Sequence, residues 1–417
     1  MFDGSYFAAL QDVILVTSNY RVNGKNIFRL YTLFSLDWMS SLTNLVFGFP
    51  GPTPNLPQGH MNLGILDVKL SLDWTRRNIE AFGGDPNKIT IFGESAGSII
   101  VDHIYLTTPP TNPPFRAAIM QSGTYYLGWW GTGVLNGLSD TYSTAGHGLS
   151  KSLGCGWDED SIPCMKNKTT DEIKKALNDK KRLWGPVPDG GITVAAGNNG
   201  HKFRSLFGGA RVPIMLGSNA DEAMLFLNET NGTWERLFNV RFPELKPYES
   251  HLRAAYPVGG CSITGCWKNE LEAVAQVITD YMFTCLSARE ARASAYSLIP
   301  TWRYRYNSTS GGIGESLNVS VPHAYEIPQV FRTFDPKVAL PNQVRVSDYM
   351  QRAWADFAKD PLKGPGWPSY SNVSYLSYIA AIGGPQNPGG ESFLRHNIAD
   401  AYCGIYDALY DERDPSA

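Results

Sequence analysis

One stretch of the chain carries a residue pattern with immediate chemical meaning: Gly93-Glu94-Ser95-Ala96-Gly97, a serine with glycine two positions away on either side. Gly-x-Ser-x-Gly arises about 0.3 times by chance in a chain of this glycine and serine content, so its setting must carry the argument. That setting is informative. Lys88-Ile89-Thr90-Ile91-Phe92 reads as a buried strand running straight into the pattern, and a helix is expected to begin near Ala96. A strand that turns at once into a helix forces Ser95 into a strained bend. The bend needs small residues two positions either side, because neighbouring backbone would strike any Cβ there. It also lifts the hydroxyl off the sheet and leaves the Ala96 N–H at a helix start, ready to donate to an oxyanion. A serine hydroxyl is a poor nucleophile until a histidine takes its proton, and that imidazole needs a carboxylate to fix its tautomer. Downstream lie His103, His147, His201, His251, His323 and His396. The residues alone do not choose among them.

The elements that would position Ser95 follow from the pattern of apolar residues. Residues 11–22 hold a β-branched run typical of a strand buried on both faces. Ile65, Leu66, Val68, Leu70, Leu72, Trp74 and Ile79 supply the apolar side of a helix over 65–81, and Phe82-Gly83-Gly84-Asp85-Pro86 is a turn. Strand, helix, strand and tight turn make the βαβ pattern of a parallel sheet. Further strands are expected at 116–121, 212–216 and 301–306, and helices at 269–279, 284–297 and 346–358. No internal repeat or low-complexity linker divides the chain, so residues 1–417 read as one domain with insertions.

Bulk properties narrow the partners. With 36 basic and 39 acidic residues the net charge is −3, which gives no electrostatic reason to expect nucleic acid or an anionic membrane. No segment is long and apolar enough to span a bilayer as a helix, and no metal-ligand spacing or phosphate-cradling loop implies a cofactor. Six cysteines (Cys155, Cys164, Cys261, Cys266, Cys285, Cys403) accompany six Asn-x-Ser/Thr triplets at Asn167, Asn228, Asn231, Asn307, Asn318 and Asn372. Together they favour the oxidising secretory route. The start Met1-Phe2-Asp3-Gly4-Ser5-Tyr6 carries no signal peptide, which leaves either a cytosolic protein or a missing N-terminus.

Longer motifs then decide more. Ala81-Phe82-Gly83-Gly84-Asp85-Pro86 followed by Phe92 to Ser98 resembles the type-B carboxylesterase/cholinesterase family, in particular its fungal extracellular esterases and lipases. The likeness continues through Met120-Gln121-Ser122-Gly123, Gly217 to Glu222, Pro322 to Pro328, and Asp348 to Ala358. It implies an α/β-hydrolase fold and hydrolysis of a small or lipid-like carboxylic ester by a secreted protein without a cofactor. The family's acid falls on Glu222, with Ala223 where glycine is usual, and its base falls on His323. Both satisfy the chain order Ser, acid, His. The resemblance pairs Cys155 with Cys164 and Cys285 with Cys403, leaving Cys261 and Cys266 to each other.

Two departures from the family matter. Family members place further strands and a His-Gly-Gly-Gly oxyanion loop ahead of the segment that opens here at Phe2, and this sequence has no such motif. One lost oxyanion donor costs about 100- to 1,000-fold in rate. A missing strand between 13–17 and 88–92 would also leave two central strands with unpaired edges. Poor folding and impaired catalysis are therefore expected. The second departure is an insertion over 24–45, between Asn19-Tyr20-Arg21-Val22-Asn23 and Val46-Phe47-Gly48-Phe49. Gly24-Lys25 can encode a splice donor, Thr43-Asn44 a branch sequence and Leu45-Val46 an acceptor, so a retained intron would account for it. The rival readings are a non-catalytic adhesion or binding protein of the same family and an inactive truncated product. Tyr125, Tyr126, Trp129 and Trp130 could line an apolar substrate pocket, although aromatic residues more often fill cores.

Overall fold

The computed structural model describes residues 2–22, 47–50, 56–125, 142–178, 185–194, 209–228, 230–309, 321–335, 337–371 and 377–412. The segment 24–45, Tyr126, Trp129, Trp130, His201 and the triplets at Asn318 and Asn372 lie outside these residues.

The described residues form eight strands: β1 (Thr90–Glu94), β2 (Ala117–Gln121), β3 (Ile214–Asn219), β4 (Gly260–Cys261), β5 (Cys266–Trp267), β6 (Thr301–Tyr306), β7 (Tyr378–Ile382) and β8 (Glu391–Arg395). Six of them form one sheet in the order β1-β2-β3-β6-β7-β8, parallel except for β8, while β4 and β5 make a separate hairpin. Strand side chains alternate between faces, and the core divides accordingly. Ala118, Met120, Ile214 and Leu216 join one buried cluster. Ala117, Ile119 and Met215 join a second. The first cluster is closed by helices α1 (Leu63–Asn78), α2 (Ala96–Thr107), α3 (Glu270–Thr279), α4 (Cys285–Tyr296) and a C-terminal helix, Cys403–Glu412. The second is closed by α5 (Pro341–Lys359), through Val346, Met350, Trp354 and Phe357. A mostly parallel sheet buried on both faces is what continuous apolar strands require, and it is the α/β arrangement expected.

The strands at 88–92, 116–121, 212–216 and 301–306 and the helices at 65–81, 269–279, 284–297 and 346–358 are all found, with ends shifted by a few residues. The strand over 11–22 is not. Val13 and Leu15 pack against the second cluster, while Ile14 and Val16 are 46% and 40% exposed, and no ladder among the described residues includes the segment. Alternation without a partner gives an extended segment, not a strand, because strand identity resides in the cross-chain hydrogen bonds. Correspondingly β1 stands at the edge of the described sheet with β2 as its neighbour. The apolar side of α1 is likewise not fully covered: Leu70 and Trp74 are 61% and 48% exposed.

The disulfides Cys155–Cys164, Cys261–Cys266 and Cys285–Cys403 are all formed. The last spans 118 residues and ties α4 to the C-terminal helix. Near it, Arg303 on β6 holds Asp400 with both guanidinium nitrogens at 2.7 and 3.1 Å, each side chain below 5% exposed. Long closed loops restrict the unfolded chain most, so Cys285→Ala/Cys403→Ala is expected to lower unfolding free energy by about 2–5 kcal/mol in denaturant titration. The same change at Cys261 and Cys266, which close a loop of 5 residues, should cost less.

Candidate active site

Ser95 ends the β1 turn with φ 55° and ψ −119°, a conformation that L-residues rarely adopt. The reason it is tolerated is local. A Cβ on Gly93 would lie 2.4 Å from the Gly97 carbonyl carbon, so strand and helix can approach only with glycine there. At Gly97 the space is open, which corrects the expectation that both glycines relieve a clash. The bend is held by Ser95 N–H donating to the Gln121 carbonyl at 2.9 Å and by Ser98 Oγ donating to the Gly123 carbonyl at 2.6 Å. Gly123 is itself required, since a Cβ would come within 2.6 Å of the Ser95 carbonyl oxygen. Ser122 and Ala324 also have left-handed backbone, at φ 52° and 65°. Non-glycine residues of this kind persist where surrounding structure over-determines them.

Glu222 opens a 3₁₀ turn, Glu222–Phe226, immediately after β3, and is fully buried. His323 lies on the loop after β6. The two loops are splinted by Asp221 N–H to the Val321 carbonyl at 3.1 Å, Val321 N–H to Asp221 Oδ2 at 2.8 Å and His323 N–H to the Glu222 carbonyl at 3.3 Å. The side chains meet: His323 Nε2 lies 2.7 Å from Ser95 Oγ, and His323 Nδ1 lies 2.5 Å from Glu222 Oε2. The second carboxylate oxygen, Oε1, accepts the Asn219 N–H at 2.7 Å. The three residues singled out in the sequence are thus in one hydrogen-bonded chain. Ala96 begins α2 and is exposed, and first-turn N–H groups have no acceptor within their own helix.

Glu94, the residue before Ser95 in the pattern, joins this group. It is neither exposed nor remote: its side chain is 11% exposed and Oε1 sits 3.2 Å from His323 Nε2. Burial pushes its carboxyl up to about 8, opposed by the nearby imidazole and reinforced by Glu326 and Glu222. For His323, burial alone would lower the pKa. The charges of Glu94 and Glu222 and the hydrogen bond to Glu222 overcome it and carry the group up to about 9.

Behind these residues runs a second buried chain. Trp354 Nε1 donates to Gln121 Oε1 at 2.9 Å, Gln121 Nε2 donates to Glu326 Oε1 at 3.0 Å, and Asn219 Nδ2 donates to Glu326 Oε2 at 2.7 Å. Burial raises the Glu326 carboxyl, with Glu222 adding to the rise and Asn219 opposing it. Phe226 and Phe283 place their rings 5.3 and 5.2 Å from that of His323. Gln121, Glu326 and Phe283 lie within or beside motifs legible in the sequence, but their contacts across the sheet are not.

Other candidates fall elsewhere. His103 is 1% exposed, packs edge-on against Tyr125 at 5.7 Å and is pushed down to about 4 by burial. Tyr125 is 1% exposed and belongs to the first buried cluster. His147 lies against Trp157 at 4.8 Å, and His396 against Tyr370 at 6.1 Å. Among the described residues no group of three metal-ligating side chains converges, and no helix is long and apolar enough to cross a membrane.

Comparison with known sequences bears on the whole arrangement. The profile of the Carboxylesterase family matches residues 46–381. The chain is 30% identical over 302 residues to the crystal protein of Dictyostelium discoideum, covering 67% of this chain and 51% of that one. It is 28% identical over 346 residues to secreted lipase 5 of Gibberella zeae, covering 78% and 57%, and 27% identical over 393 residues to the cholinesterase of Mus musculus, covering 86% and 58%. The chain therefore spans less than three-fifths of the length of these three relatives. A profile that covers most of the sequence, joined to a parallel sheet flanked by helices, establishes that this chain belongs to the carboxylesterase family and has the α/β-hydrolase fold.

Proposed function

We propose that the chain hydrolyses carboxylic esters, with Ser95 as nucleophile, His323 as general base and acid, and Glu222 as the group that orients the imidazole. The observation that carries this reading is the unbroken hydrogen-bond chain of 2.7 and 2.5 Å from hydroxyl to imidazole to carboxylate. His323 Nε2 takes the proton as Ser95 Oγ attacks the acyl carbon, and Glu222 stabilises the imidazolium. The oxyanion of the tetrahedral intermediate faces the Ala96 N–H at the positive end of α2. Collapse releases the alcohol, which leaves with the proton from Nε2. Water, deprotonated by the same nitrogen, then cleaves the acyl-enzyme and returns Ser95.

Turnover of p-nitrophenyl butyrate tests the reading. Ser95→Ala and His323→Gln should each remove at least about 1,000-fold of kcat, and adding the second change to the first should cost little more. Equal turnover by Ser95→Ala and the parent would sink it, and would leave the non-catalytic alternative.

Carboxylates that raise the imidazole pKa set the pH profile. His323 must be neutral to act as base, so kcat/KM should fall on the acid side with a midpoint above the ordinary imidazole value of about 6.5. Glu94→Gln removes one negative charge beside Nε2, disfavours the imidazolium, and should move that midpoint to lower pH. A midpoint that stays put would show that Glu94 exerts no charge on the ring.

We also read the protein as secreted and N-glycosylated, on the strength of its three disulfides and its Asn-x-Ser/Thr triplets. The triplets are not equivalent. Asn167 is exposed, whereas Asn231 is 8% exposed and its Oδ1 accepts the Asn228 N–H at 2.8 Å. Peptide mass mapping of protein from a eukaryotic secretory host should find a glycan on Asn167 and an unmodified Asn231.

A further inference from the structure

We propose that Phe283 is a positioning residue for His323, seated by the π-helical turn that separates α3 from α4; this rests on the triad reading above. Hydrogen bonds at Nδ1 and Nε2 resist swing of the imidazole about the bond to Cβ, and rings packed against its faces resist it further. Glu94 Oε1, 3.2 Å from Nε2, offers the same nitrogen a competing partner. Something must therefore keep Nε2 on the serine. Among the described residues, the rings against the imidazole are Phe226 at 5.3 Å with an interplanar angle of 52° and Phe283 at 5.2 Å with 48°.

The backbone explains how each arrives. Phe226 is the last residue of the turn that Glu222 begins, so acid and wall share one short element. Phe283 lies on the π-turn Asp280–Thr284. A π-turn is in effect one extra residue in an α-helix, and it rotates the side chains beyond it by about 100° relative to an uninterrupted helix. The turn is fastened throughout. Thr279 Oγ1 accepts the Ala223 N–H at 3.1 Å, which binds the helix to the acid's own turn. Asp280 accepts from Tyr256 Oη and Gln276 Nε2, both at 2.9 Å. Tyr410 Oη donates to the Tyr281 carbonyl at 2.6 Å, and Cys285, the next residue, is bonded to Cys403. An irregular turn held this firmly against the imidazole matches the tendency of π-turns to occur at functional sites. Phe283 is 3% exposed, so its ring also keeps water from that side of the imidazole. The electron-rich face of an aromatic ring favours the imidazolium over what an aliphatic side chain would offer.

A purely structural role would make Phe283 one more core residue, and the two roles part in experiment. Phe283→Leu and Phe283→Met retain apolar bulk. With the ring free to swing, kcat for p-nitrophenyl butyrate should fall about 10- to 100-fold, the scale on which small misplacements act. KM should stay within about two-fold, because the loss is in the chemical step. Independently of turnover, the far-downfield proton resonance of the His323 Nδ1–H bond to Glu222, identified by its loss in Glu222→Gln, should broaden in the variants and titrate at lower pH. Phe226→Leu, at a partly buried position, should change the same resonance and serves if Phe283 variants fail to fold. Folded Phe283→Leu and Phe283→Met with unchanged resonance and unchanged kcat would overturn the proposal. A parent that gives the resonance but no Ser95-dependent turnover would sink the esterase reading alone, and Phe283 would then be decided by the resonance. A parent without the resonance would sink both.

Discussion

A carboxylate with no access to water must find all its partners inside the protein, and Glu222 imposes that constraint on everything around it. Its two oxygens are taken by the Asn219 N–H and by His323 Nδ1. The first partner fixes the acid to the end of β3, and the second fixes the imidazole to the acid. Because an unpaired buried charge is strongly destabilising, the loops after β3 and β6 have little freedom to part, and the backbone bonds between Asp221, Val321, Glu222 and His323 close the same gap. The serine bend at the end of β1 is then the fixed point opposite them. Gln121 connects the two halves: its carbonyl accepts the Ser95 N–H, and its side chain reaches Glu326 and through it Asn219.

The carboxylates illustrate how one fold assigns different roles to one residue type. Glu222 is paired on both oxygens. Glu94 has a buried Oε1 without a hydrogen bond and a carboxyl raised by burial. Glu326 accepts two amide donors. These environments, and not the identity of the side chain, separate a carboxylate paired on both oxygens from one that burial raises beside the imidazole. The Glu94 charge raises the imidazole and the imidazole in turn opposes the rise at Glu94.

Ser95 was legible because its requirements are local: a strand, a bend that excludes a Cβ at Gly93, and a helix start. Glu222 and His323 were legible only through the motifs they sit in, since three-dimensional folding brings residues 101 positions apart into one hydrogen bond. Phe226 and Phe283 carry no sequence signal of their contact, because an aromatic residue in a helix looks the same whether it meets a histidine or fills a core. The segment over 11–22 misled for the converse reason. Its β-branched run states a preference for extended backbone and nothing about whether another strand lies alongside. The triplet at Asn231 shows a related limit, since a three-residue pattern is blind to burial and Asn231 is nearly buried.

The Cys285–Cys403 bond has a consequence beyond stability. It fastens the helix that begins one residue after Thr284, the end of the turn bearing Phe283, to a helix far along the chain. The environment of the imidazole thus depends on a sulfur–sulfur link that a thiol-rich compartment would open. Where such a chain matures, by its redox poise, bears on how rigidly the ring is gripped as well as on how long the molecule lasts.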